Sequence, residues 1–397
     1  MSRDPADSIA PFRFRLRPRK GTFQRVAREA DGDDPMYEAL DAVYRSLCAT
    51  LYNFAASGHP GGSISSGKVV GSLLFGAMDY DLSDPWAVHA DALVYAAGHK
   101  AMGLYAMWAL RDELARIGDP KLLPKDAKHR LRFEDLLGFR RNPTQGTPLF
   151  KKFETKALDG HPAPSTPFVH FATGASGVGM GGAVGFALAA ADAYGPGGPL
   201  IHAVEGEGGL TPGRVVEALA TAATAGLERL ILHVDWNQAS IDSDRVCPED
   251  GKPGDYVQWN PLELLRLHDF NVLFVSNGHD VAHVRSGVRR ALAMGTGVPT
   301  AVVYKTVKGW NYGVEGKKSH GAGHAMCSPA FYESVRPFEE RYGALPRLTP
   351  GKDPVEVEKA YWTTLEAVRG ALEAKPDLAR WAAERLRLSA LRLREAR

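Results

Sequence analysis

From about residue 36 the chain alternates short apolar runs with longer stretches whose apolar residues recur every three or four positions. The runs at residues 92–96, 168–172, 200–204, 230–234, 272–275 and 301–304 are apolar almost throughout and mostly rich in β-branched residues. Successive side chains of a strand point to opposite faces, so these runs predict strands covered on both sides. Residues 177–194, 213–225, 261–268 and 281–294 carry helical spacing instead. Alternation of this kind predicts an α/β fold with a doubly wound, mainly parallel sheet. Ligands of such sheets sit in loops at the carboxyl ends of the strands, where chemistry is to be sought.

The ends read differently. Residues 1–35 are rich in charge, Pro and Gly, and Phe12-Arg13-Phe14-Arg15-Leu16-Arg17 alternates with period two, as in an edge strand or an arm on a partner. Organised structure is expected from Met36, in a helix to about residue 57. Residues 110–160 form a mixed insertion without sustained period. After about residue 333 the chain is helical: Val357, Tyr361, Leu365, Val368 and Leu372 mark one apolar face, and Pro376 opens a second helix. Six arginines in residues 377–397 predict a solvated or interface face. The expected organisation is therefore an arm at 1–35, a domain at 36–332 and a helical C-terminal extension at 333–397, with no internal repeat.

Composition narrows the partners. Of 397 residues, 44% are apolar and 24% charged, and 48 Lys and Arg nearly balance 46 Asp and Glu, so no global field draws the chain to nucleic acid or membrane. Three separated cysteines without metal-site spacing argue against a disulfide framework and for a reducing compartment. No apolar stretch is long enough to span a bilayer, and the expected location is cytoplasmic.

The candidate chemistry begins at Gly206-Glu207-Gly208-Gly209, directly after one predicted strand, and resumes at Asp235-Trp236-Asn237 after the next. A carboxylate and an amide oxygen at neighbouring strand ends suit a hard cation such as magnesium or calcium, and glycines let a backbone approach a ligand closely. A tight turn and an ordinary loop Asn would satisfy the same pattern. Four further segments settle the reading together: Ser57-Gly58-His59-Pro60-Gly61-Gly62, Gly98-His99, Gly160-His161-Pro162 followed by Thr173-Gly174-Ala175-Ser176-Gly177-Val178-Gly179, and Ser319-His320-Gly321.

In order and spacing, over residues 46–330, these segments resemble the N-terminal, diphosphate-binding section of transketolases, and the Glu207–Asn237 pair resembles the metal-diphosphate motif of thiamine diphosphate enzymes. The resemblance implies that Glu207, Asn237 and the Ala239 carbonyl hold Mg²⁺ or Ca²⁺. It implies that His59, His161 and His320 contact the donor's reacting end or move protons, and that His99 lies near the diphosphate. Gly174, Gly177, Gly206, Gly208 and Ile241 would contact the cofactor. His202, His233, His268, His283 and His324 have no motif around them and are expected to be structural, and His279 is given no catalytic role. The chain departs from the family pattern with Glu207 in place of Asp, a side chain longer by about 1.5 Å, and with Pro212 where a Glu is common.

The activating Glu of the family lies on a second domain, and the 65 residues after the motifs are too few to hold it. The implied arrangement is a split transketolase, this chain pairing with a second subunit that carries the pyrimidine-binding and C-terminal domains, as α2β2. The implied reaction moves a two-carbon ketol unit from a ketose donor to an aldehyde acceptor. Lys308-Gly309-Trp310 through Glu315-Gly316-Lys317 to His320 also resembles the decarboxylating component of 2-oxo acid dehydrogenases of the pyruvate type. A deoxyxylulose-phosphate-synthase-like enzyme and a non-catalytic regulatory subunit are the remaining alternatives.

Overall fold

The computed structural model describes residues 19–140 and 146–395; the alternating arm at 12–17 lies outside them. Six strands form one sheet: β1 Phe23–Arg25, β2 Ala92–Tyr95, β3 Ile201–Gly206, β4 Leu230–Trp236, β5 Asn271–Val275 and β6 Thr300–Lys305. Their spatial order is β1-β5-β6-β4-β3-β2, and every neighbouring pair is parallel. Every residue of β2, β3 and β4 is buried, as continuous apolar runs require of a sheet covered on both faces.

The period of two divides the strands between two cores. Ala92, Val94, Ile201, Ala203, Leu232 and Val234 pack with the helices Val178–Tyr194, Gly213–Thr224 and Pro261–Leu267. Leu93, Tyr95, Val204, Ile231, Val302 and Tyr304 face the other way, toward Asp34–Ala55, Ala101–Gly118, Val281–Leu292 and the C-terminal helices. The helix Ala101–Gly118 is buried at every position from 101 to 115. Its second half buries Arg111, Asp112 and Glu113 in ion pairs, so charged and apolar residues are enclosed alike, and this falls in the stretch where the sequence showed no period.

One strand expectation needs correction. Residues 168–172 form no strand. Pro162, Pro164 and Pro167 precede them without the N–H groups a ladder needs, and Phe168 takes φ +64°. The apolar run instead lays Val169 and Phe168 against the core, tied by Trp108 Nε1 donating to the Pro167 carbonyl at 2.9 Å. Conversely, β1 adds an edge strand ahead of Met36 that its three residues, Phe-Gln-Arg, do not announce.

The C-terminal helices Pro354–Ala374 and Asp377–Glu395 pack on the domain. Tyr361, Leu365, Val368 and Leu372 are buried as the spacing predicts, while Val357 is half-buried. Gly118 lets the last helix in closely, since a Cβ there would stand 2.2 Å from the Ala379 carbonyl oxygen. Arg385, Arg387, Arg392 and Arg394 pair with Asp33, Asp119, Asp79 and Asp81. The arginine-rich face thus grips this chain's own surface. Among the described residues no helix is long and apolar enough to cross a membrane.

Candidate active site

A cavity of about 300 Å³ opens where β2, β3 and β4 end and the chain leaves β6. The motifs reach it by different routes. The helix Asp34–Ala55 ends at Ala56 in the left-handed conformation, and Gly58 follows at φ +117°, where a Cβ would stand 2.6 Å from Met102 Cε. This turn delivers His59 to the start of the helix Pro60–Ser65. His99 lies in a single helical turn immediately after β2, and His320 ends another at Gly316–His320.

These three histidines converge. Ring centroids are 4.7 Å apart for His59 and His320, 5.5 Å for His59 and His99, and 5.6 Å for His99 and His320. All three are neutral at physiological pH: burial pulls His59 down to about 3 and His320 to about 4, and holds His99 well below its usual value. Neutral imidazoles can donate at one nitrogen and accept at the other. His161 is exposed and stands apart, beside Gly174, where a Cβ would lie 3.4 Å from its Cγ.

On the cavity floor Glu207 is 1% exposed. Its Oε2 accepts from the Asn237 backbone N–H at 3.2 Å, and its Oε1 is buried with no hydrogen-bond partner. Burial, with the charge of Asp235 added, raises its carboxyl to about 7. Asn237 Oδ1 accepts from the Ala239 N–H at 3.0 Å, and Nδ2 donates to Asp235 Oδ2 at 3.0 Å. Gly206 and Gly208 line the cavity, and a Cβ on Gly208 would meet nothing within 4 Å, so the backbone there faces open space. Gly174 lines the cavity too; Gly177, at φ +79°, turns the chain into the helix Val178–Tyr194. Ile241 stands on the cavity wall, 70% exposed.

Several groups escaped the sequence reading. Asp235 accepts from Lys100, Ser65, Asn237 and Thr306. Burial pushes its carboxyl up, but the Lys100 charge and these hydrogen bonds outweigh that and hold it below the usual range. Lys308 contacts the Ala239 carbonyl and His320. Glu205 also lines the cavity; it is 1% exposed, its Oε2 lacks a partner, and burial raises its carboxyl to about 7. The signal was present, because a charged residue in an otherwise apolar strand is costly and calls for a reason. Among the other histidines, His202 and His233 form a buried hydrogen-bonded row with Tyr304, and His279 Nε2 accepts from the Val307 N–H at 2.7 Å.

A parallel, doubly wound sheet with a glycine-lined, histidine-rimmed cavity at its strand ends is the ligand-site arrangement of the doubly wound α/β class. The family model for the transketolase thiamine diphosphate binding domain matches residues 132–374, more than half the chain. The chain belongs to that family. It is 29% identical to human transketolase over 269 residues, 67% of this chain and 36% of that protein, and 30% identical to transketolase-like protein 2 of Bos taurus over 272 residues, 67% and 35%. The transketolase of Leishmania mexicana superposes with a TM-score of 0.62 at 25% identity, covering 91% of this chain and 48% of that one. That of Campylobacter jejuni gives 0.64 at 24% identity, with the same coverage. The chain thus spans between a third and a half of the length of these relatives.

The residues present fit a hard cation and a diphosphate. One buried carboxylate oxygen of Glu207 has no hydrogen-bond partner, Asn237 and Ala239 line the same cavity, and Gly208 leaves room for a ligand against the backbone. Among the described residues no three His, Cys, Asp or Glu side chains converge on a metal; the expected set includes only one such side chain.

Proposed function

We propose that this chain supplies the diphosphate and metal half of a thiamine diphosphate-dependent transketolase-type site. The convergence of His59, His99 and His320 over a floor holding Glu207 and Asn237 is the observation that carries this reading. Glu207, Asn237 and the Ala239 carbonyl would hold Mg²⁺ or Ca²⁺, hard-oxygen ligands leaving positions for diphosphate oxygens. Gly174, Gly177, Gly206 and Gly208 would bring backbone close to the cofactor, with Ile241 against it and His99 beside the diphosphate. Thiamine diphosphate, when bound, supplies carbanion stabilisation that no side chain offers. His59, His161 and His320 would orient the donor's carbonyl and terminal hydroxyl and carry protons between them.

A second subunit bearing the pyrimidine-binding and C-terminal domains would complete the site, in an α2β2 assembly. Two observations support this. The relatives extend well beyond the portion this chain matches. On the helices Val178–Tyr194 and Gly213–Thr224, Val178, Leu188 and Val216 are left 37–40% exposed. Three free cysteines support a reducing, cytoplasmic setting. The overall reaction is transfer of a two-carbon ketol unit from a ketose to an aldehyde.

The test is reconstitution. The purified chain alone should not turn over a ketose and an aldehyde, and activity should appear on adding the complementary subunit. Turnover by the pure single chain would overturn the split site; a reconstituted pair that uses pyruvate but no ketose would overturn ketol transfer.

A further inference from the structure

We propose that the Lys308 ammonium and a divalent cation compete for one position in the cavity, so that metal binds firmly only together with a diphosphate. The inference rests on the reading of Glu207, Asn237 and Ala239 as the metal's ligands.

Lys308 is 3% exposed, and its Nζ donates to the Ala239 carbonyl at 3.0 Å and lies 2.8 Å from His320 Nδ1. Lys308 and Glu207 line the same cavity and are of opposite charge type. The ammonium therefore sits on one proposed metal ligand and is drawn toward a second, whose Oε1 has no hydrogen-bond partner. An ammonium and a divalent ion seek the same hard oxygens. Two cations on one carbonyl in a buried site repel strongly, because little solvent screens them.

The lysine cannot simply leave for solvent. The Gly309 N–H donates to the Gly61 carbonyl at 3.2 Å, and the Gly316 N–H donates to the Lys308 carbonyl at 3.0 Å. The stem is packed so closely that a Cβ on Gly61 would stand 2.9 Å from Lys308 Cγ. Backbone and stem are fixed, and only the end of the side chain can turn within the cavity. A carbonyl and a neutral imidazole hold an ammonium less strongly than anionic phosphate oxygens do. A diphosphate would draw the ammonium off Ala239 and open the position to metal. Metal and diphosphate then favour each other's binding by the same factor.

Calorimetric titration of Mn²⁺ into the full chain tests this, with and without thiamine diphosphate and corrected for the metal's affinity for free cofactor. The wild-type chain should bind metal at least ~10-fold more tightly when the cofactor is present. Lys308→Met keeps the stem and removes the charge; it should bind metal alone at least ~10-fold more tightly than wild type and lose most of the cofactor dependence. Lys308→Gln should change in the same direction, which guards against a folding defect peculiar to either variant. If both variants bind metal alone no better than wild type while wild type binds metal with cofactor, the competition is wrong and the ligand assignment stands. If Glu207→Gln binds metal as wild type does, or no protein binds it with cofactor present, the ligand assignment falls and the inference with it.

Discussion

Lys100 Nζ lies 2.7 Å from Asp235 Oδ2, and at 1% and 3% exposure neither side chain reaches solvent. The pair ties the end of β2 to the end of β4 directly beneath the cavity. Lys100 also donates to Ser66 Oγ at 2.6 Å, which brings the His59 segment into the same network. Because Asp235 takes a hydrogen from Asn237 Nδ2, it decides which end of that amide is the oxygen. The buried charge pair therefore fixes the orientation of a proposed metal ligand.

Removing one member leaves the other charged and buried, which costs about 3–5 kcal/mol. Lys100→Met should lower the unfolding free energy in urea by that amount. The double variant Lys100→Met with Asp235→Asn should cost less than the sum of the two single changes. Strict additivity would show that the pair contributes no coupling.

Glu207→Gln removes a charge at nearly constant volume, so its effect reports on the charge itself. Metal-dependent thiamine diphosphate binding should weaken by at least ~10-fold, about 1.4 kcal/mol. Asn237→Ala should do likewise through loss of an oxygen, while the exposed Lys128→Ala should change nothing. Calorimetry on the reconstituted complex decides; unchanged affinity in both site variants would remove Glu207 and Asn237 from the metal site.

The strands and helices at the sheet's centre were legible in the sequence because burial on two faces writes an unbroken apolar run and a helix packed on one side writes a period. β1 was not, since an edge strand of Phe23, Gln24 and Arg25 buries too little to leave a pattern. The run at 168–172 misled for the opposite reason: apolar residues were needed for the core while prolines and the Phe168 backbone excluded a ladder. In the site, His59, His99 and His320 were found because motif spacing survives in the linear chain. Lys100 carries a single charge without a telling spacing, and its partner Asp235 lies on β4, so only the fold brings the two together; Lys308 was legible as part of a motif, but its contacts with Ala239 and His320 were not.

The row His202, His233 and Tyr304 crosses β3, β4 and β6, with 3.0 Å between His202 Nδ1 and His233 Nε2 and between His233 Nδ1 and Tyr304 Oη. Burial pulls His202 down to about 3 and His233 well below its usual value. In the unfolded chain both protonate near pH 6.5. Between those values the unfolded chain binds more protons than the folded one, so stability falls as pH drops below 6.5. His202→Leu should cost about 1–3 kcal/mol at pH 7, where it strands a buried nitrogen of His233. It should also lose stability less steeply than wild type between pH 6.5 and 4, which urea midpoints across that range would show. An unchanged slope would mean that the row does not resist protonation.

His161 offers the sharpest test of which donor the site takes. A ketose donor bears a hydroxyl beside its carbonyl, and a hydroxyl buried without a partner is costly. Pyruvate carries a methyl group at that point, which gains nothing from an imidazole. His161 stands beside Gly174, on the cavity's lining, yet it remains exposed. Its loss should therefore disturb the fold little. In the reconstituted complex, His161→Ala should reduce turnover of a ketose by the equivalent of about 1–3 kcal/mol, roughly 5- to 150-fold. Turnover of pyruvate, if any is present, should hardly change. Equal losses with both donors would show that His161 does not read the hydroxyl. They would shift the reaction toward decarboxylation of a 2-oxo acid.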